Sequence, residues 1–251
     1  MKIVFSKKFI LALLVFGITF LISNFALAQS VTVNLGDETG TATGRIIQFL
    51  LLTTILSIAP SILVMTTSFT RIAIVLSIVR NAIGANSAPP NNIIISLSLF
   101  LTAFIMTPVF EESWKTGLKP LIDEKVEVME GLELAVKPLH HFMAMNTRDK
   151  DIELFMNLSK SEKVEKVEDT PLSVMIPAFM ISEIRRAFEI SFLIYIPFIV
   201  IDMVVASILM SMGMMMLPPV MLSMPFKIIF FVLIDGWYML CGSLVQSFVV
   251  N

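Results

Sequence analysis

Two carboxylates stand inside apolar runs, Asp202 in "FIVIDMVVAS" and Asp235 in "FVLIDGWYML". A charged group at membrane depth is costly, and it marks function or a specific partner. The two acids are evenly placed, Asp202 sixteen positions before Pro218 and Asp235 sixteen after Pro219. If the flanking arms fold back as an antiparallel hairpin, the carboxylates come to about the same depth, where proximity would make them proton-sensitive. That is one chemistry. The other is structural: each acid pairs with a lysine, an arginine or a backbone amide and pins the hairpin in an oligomer. The second is preferred, because buried ion pairs serve specificity.

Between the acids lies "LMSMGMMMLPPVMLSMP". Eight of the chain's 18 methionines fall between Met203 and Met224. Methionine is unbranched and polarizable, so it fits irregular gaps and packs one fixed shape poorly. The row Met214, Met215, Met216 has no single helical face, and Pro218 and Pro219 remove two N–H donors in an apolar stretch. Irregular backbone at that depth is tolerated where it is buried in protein or lines a cavity. A broken segment carrying Met212, Met214, Met215 and Met216 fits a closable constriction.

Other chemistry is not indicated. His140 and His141 are adjacent, point different ways on a helix and have no nearby cysteine or HExxH-type partner, so no metal is expected. No G-x-S-x-G, phosphate-binding loop or glycine fingerprint occurs, and an enzyme or a bound cofactor is not expected. Net charge is −2, which gives no case for nucleic acid. The one cysteine, Cys241, cannot form an internal disulfide.

The elements that must position these groups are apolar. Of 251 residues, 56% are hydrophobic and 15% charged, with a mean hydropathy of +0.87; soluble domains carry about 25% charged residues. Residues 1–28, with Lys2, Lys7 and Lys8 before an apolar run and Ala26-Leu27-Ala28 after it, read as a cleaved signal peptide. Residues 29–45 form a polar leader. A first helical hairpin covers 46–110, with a kink expected at Pro60 and a turn at Ala88-Pro89-Pro90-Asn91. Its stretch Phe69–Gly84 carries Arg71 and Arg80 without an acid; Arg71, with Asp202, Asp235 and Lys227, is expected as a buried charge. Residues 111–170 hold most of the acids and lysines and read as a small polar helical domain with a mobile tail near Ser159–Asp169. A second hairpin covers 171–251, with Glu183/Arg186 and Arg185/Glu189 at helical pairing distance. With the leader outside, the Arg71/Arg80 end is cytoplasmic by the positive-inside rule and 111–170 is periplasmic.

The stretches "TSFTRIAIVLSIVRNAIG", "SAPPN", "LFLTAFIMTPV", "IPFIVIDMVVASILMSMGMMMLPP" and "PFK…DGWYMLCGSLVQSF" resemble the FliP family of flagellar type III export gates and its virulence-system counterparts. The likeness runs from Arg45 to Phe248 and is loose only over 111–170. It implies an all-α fold of membrane-inserted helical hairpins that assembles as a helical oligomer, five copies around a pore, lifted largely out of the bilayer plane. Implied partners are FliQ, FliR and FlhB, with FliO as an assembly helper. Implied cargo is unfolded flagellar subunits, passed across the bacterial inner membrane with proton motive force and a separate ATPase. The resemblance also implies a methionine gasket at Met212, Met214, Met215 and Met216. By matching motif, Phe142 and Phe155 would line the gate or a subunit interface, Glu183 and Arg148 would make inter-subunit polar contacts, and Asp202 and Lys227 would be buried structural charges. A proton-coupled secondary carrier built on Asp202 and Asp235 is the alternative. Carriers build their site within one chain or an internal repeat, and no inverted repeat is visible.

Overall fold

A computed structural model of the chain describes residues 42–85, 88–159, 167–214 and 217–248. The expected signal peptide, most of the leader, the centre of the expected tail and Met215 and Met216 lie outside the described residues. The chain divides into two compact units, Met1–Leu52 and Thr53–Asn251. Of the first, only residues 42–52 are described, and they are helical.

All regular structure among the described residues is helical. Helix α1 (Ala42–Met65) contains Pro60 and runs through it. The break falls instead at Thr66–Ser68, where the Thr66 and Thr67 hydroxyls donate back to carbonyls three and four residues earlier. Such back-bonding competes with the helical ladder. Helix α2 (Phe69–Ala82) then puts Ile72, Val75, Leu76 and Val79 on one fully buried stripe, the i, i+3, i+4, i+7 spacing of a core-facing helix. It packs against α3 (Asn91–Ser113) and α7 (Leu172–Ser211).

A π-helical turn at Trp114–Leu118 continues α3 into the short α4 (Lys119–Ile122). Gly117 in that turn lies directly on Ala135 of α5 (Val128–Asn146), with no room for a Cβ. Gly117→Ala should therefore part the two segments and cost about 1–3 kcal/mol, read as a lower thermal midpoint of the detergent-solubilised chain. Helices α5 and α6 (Asp149–Ser159) rest on α7, and α5 also on α3. The segment 111–170, expected as a small polar helical domain, shares core residues with the apolar helices. Phe142 and Met143 of α5 and Ile152 and Met156 of α6 belong to the same cluster as Val174, Met175 and Phe179 of α7.

Helix α7 is one continuous run of 40 residues containing Pro177 and Pro197. Its buried residues fall mostly in the N-terminal half, from Val174 to Ser191, whereas Phe192, Leu193 and Met203 further on are exposed. Helices α8 (Pro219–Leu233) and α9 (Gly236–Gln246) follow, bent by 63°. The bend needs Asp235 in the left-handed region, φ +52°, and a glycine at 236, because a Cβ there would fall on the Phe231 ring. Two stretches, Asn91–Ile122 and Leu172–Ser211, are long and apolar enough to cross a membrane, and up to four are if each bent helix pair counts as one span.

Candidate functional site

Three polar clusters hold the helices together, and a methionine turn caps the longest. The deepest cluster centres on Arg71 of α2, which is 0% exposed. Its Nε donates to Glu183 Oε2 of α7 at 2.9 Å, and its Nη2 donates to Glu183 Oε1. Nη1 donates to both the carbonyl and the hydroxyl of Ser247, each at 3.0 Å, and the guanidinium lies 3.7 Å over the Phe248 ring. One side chain therefore ties α2, α7 and the residues after α9 into one knot. A planar fork makes that possible; a lysine has no such geometry. Glu183 does not take up the expected helical pairing with Arg186. It is fully enclosed and both its oxygens accept from Arg71 within its own chain. Arg185 and Glu189 do pair, at 2.7 Å on an exposed face.

The second cluster joins α7 to α8. Asp202 accepts from Lys227 Nζ at 2.6 Å and from Ser223 Oγ at 2.5 Å, with the lysine side chain 3% and the aspartate side chain 26% exposed. Ser223 and Lys227 are four residues apart and share one face of α8. This fixes the hairpin register: Asp202 faces 223–227, so Asp235, eight positions beyond Lys227, lies roughly 12 Å further along at 1.5 Å per residue. The two acids do not stand at one depth. Asp235 is exposed, at the α8–α9 break. The symmetry about the proline pair misleads because the turn is not centred there. Lys227→Ala is expected to destabilise the hairpin by about 1–3 kcal/mol, below the cost of a fully buried pair because Asp202 keeps some solvent. The double variant Asp202→Asn, Lys227→Met should recover most of it. Limited proteolysis between α7 and α8 reads both.

The third cluster caps α6. Arg148 pairs with Asp151 through Nε and Nη2 at 2.8–3.0 Å. Ser182 of α7 accepts from the Arg148 backbone N–H at 3.1 Å and donates to Asp151 Oδ2 at 2.5 Å. The Arg148 side chain is thus held in a local bidentate pair. Phe142 is buried inside the chain, edge-on to Phe179 at 6.0 Å and stacked on Phe248 at 6.1 Å. Phe155 is partly buried against the same core. His140 Nε2 lies 2.7 Å from the Thr170 carbonyl, and among the described residues no group of acids, histidines and cysteines could hold a metal.

The methionine turn follows from Gly213. It takes φ +73°, its N–H donates to Met210 O, and the Met214 N–H reaches Leu209 O at 3.0 Å. This pair of bonds is the Schellman closure of a helix, which favours glycine at that position. The glycine, and not the prolines, ends α7; Pro218 and Pro219 instead start α8, where a missing N–H costs nothing. Met212 is 66% and Met214 42% exposed, so the described thioethers face outward from the tip of the hairpin.

Sequence reasoning missed Ser182, Ser223, Asp151, Ser247 and Phe248. Ser223 and Asp151 had a local signal, four before Lys227 and three after Arg148. Ser247 and Phe248 had none, since their partner is 176 positions away from Ser247 in sequence.

Long apolar helices, broken hairpins and buried ion pairs between them define an all-helical integral membrane protein held together by internal charge clusters. Known sequences make this more specific. The FliP family profile matches residues 52–244. The chain is 55% identical over 224 residues to the flagellar biosynthetic protein FliP of Caulobacter vibrioides, covering 89% of this chain and 84% of that one. It is 56% identical over 202 residues to the Bacillus subtilis protein of that name, covering 80% and 91%. The Rhizobium meliloti protein is 49% identical, covering 84% and 86%. The chain belongs to the FliP family.

Proposed function

We propose that the chain is a structural subunit of the flagellar protein export gate in the bacterial inner membrane. Several copies, five by the family likeness, would surround a pore with FliQ, FliR and FlhB, and FliO would help them assemble. Unfolded flagellar subunits would be the cargo, and 111–170 would face the periplasm. The methionine turns of neighbouring copies would meet on the axis and close the pore when no cargo is in it. The observation that carries the proposal is the exposed turn of Met212 and Met214 at the tip of a hairpin whose register is locked by Asp202, Ser223 and Lys227. Soft side chains on a rigid stalk can repack around cargo of any sequence and dewet a narrow passage.

The carrier alternative has less support, because Asp202 is engaged by Lys227 and Ser223 while Asp235 lies turns away. In cells lacking the chain, flagellar filament subunits should accumulate inside and none reach the medium. Restoring the chain should restore export, and the Asp202→Asn, Lys227→Met double variant should restore most of it. Normal export without the chain, or full loss in that double variant with its fold intact, would contradict the proposal.

A further inference from the structure

We propose that the apolar cleft where α7 meets α8 and α9 holds the acyl chain of a membrane lipid. The 63° bend at Asp235–Gly236 swings α9 away from the line of α8 and leaves a half-open cleft of about 350 Å³. Leu193, Pro197 and Phe198 of α7 form one wall, and Phe231, Leu240 and Leu244 the other. Ser247 reaches its inner end, but that hydroxyl already accepts from Arg71 and donates to the Leu244 carbonyl. The Ser243 hydroxyl on the lining is a single polar group, short of the two or more partners that hold a water, and apolar cavities of even about 150 Å³ stay dry and take up hydrocarbon. The rim is apolar too, with Leu193, Ile234 and Met239 exposed around the mouth. The cleft therefore opens beside α7, which is long and apolar enough to cross a membrane, and the bent α8–α9 pair, which is so if taken as one span; a bilayer there supplies acyl chains.

Size selects the occupant. A helix from a second copy, about 10–12 Å across with its side chains, could fill a half-open cleft of this volume only with single side chains, whereas one flexible acyl chain can lie along it. The need for a filler holds whether α7 spans the bilayer or is raised above it in an assembly. In the second case the lipid would travel with the protein. The lipid site is independent of the export reading, because its test reads no export.

Trp237 packs edge-on against Phe231 at 5.2 Å, one ring away from the cleft, and reports on it. With the only other tryptophan removed by Trp114→Phe, the full chain in detergent is titrated with a phosphatidylcholine brominated on its acyl chains, and Trp237 fluorescence is followed. Quenching should saturate at one lipid per chain, and the saturable part should vanish in Ser243→Phe, which fills the cleft from its lining. Leu193→Phe is a second filling variant, and a retained thermal transition establishes the fold of whichever is used. Quenching that rises linearly with bromolipid, or saturable quenching that both fillers leave unchanged, would overturn the proposal. So would quenching that appears only when the oligomer is diluted to single chains, since a second copy would then be the occupant.

Discussion

Glu183→Ala should cost the folded chain about 3–5 kcal/mol, more than the loss of the Asp202–Lys227 pair that joins α7 to α8. Glu183 and Arg71 neutralise each other in the interior, and both are 0% exposed. Taking away only the acid leaves a guanidinium buried among Phe248, α2 and α7 with its Nε and Nη2 donors unpaired. Ser247 cannot compensate, because it already accepts from Nη1 through both of its oxygens. Arg71→Lys should also destabilise, since an ammonium cannot reach Glu183 in two places while holding Ser247 and lying over a ring. Replacing both charges together, as Arg71→Met, Glu183→Leu, is expected to recover much of the loss. Urea or thermal unfolding in detergent separates the three cases. A Glu183→Ala chain as stable as the parent would show that the knot contributes little.

The second large effect concerns ions. Changing Met214, Met215 and Met216 together to alanine should leave assembly intact and raise the conductance of the idle complex by at least about tenfold. Each change removes most of a thioether side chain, at roughly 0.8 kcal/mol per buried methylene-sized group. A loss of only about 1.4 kcal/mol in the free energy of closure already multiplies the open fraction by ten. Helices α7 and α8 stay put because Gly213, Asp202 and Lys227 are untouched. Unchanged conductance in a complex of verified composition would count against a methionine seal.

How much of this is legible in the sequence depends on the range of the interaction. Helical character, apolar spans, the turn at 88–91 and the Arg185–Glu189 pair are local, and composition or spacing reveals them. Chain breaks are less legible. Helix α1 continues through Pro60, where a kink is expected, as α7 continues through Pro177 and Pro197. Membrane helices tolerate proline when freed backbone groups find other partners. The actual breaks sit at Thr66–Ser68, Gly213 and Asp235–Gly236, where hydroxyl back-bonding or a positive φ decides the outcome. The ion pairs are harder still. Glu183 has Arg186 three residues away and pairs with Arg71, 112 positions distant, because the buried fork also satisfies Ser247 and covers Phe248. Counting sixteen residues on either side of the prolines places Asp202 and Asp235 level, but the hairpin turns about Gly213 and the residues after it. The burial of Phe142 and Glu183 within the chain follows from the tertiary packing of α5 and α2 against α7, which local sequence does not reveal.

The central claim is that the methionine turns of neighbouring copies face one another across a shared axis. Its most direct test is cross-linking in native membranes of a Met214→Cys variant in which Cys241 is first changed to serine, using a short bis-maleimide. Covalent dimers and higher multimers of the chain are predicted for Met214→Cys, and none for a control cysteine at the exposed Met129 of α5. Absence of any cross-link at position 214, together with quenching of a probe there by lipid-soluble reagents, would place the turn outward in lipid and contradict the account.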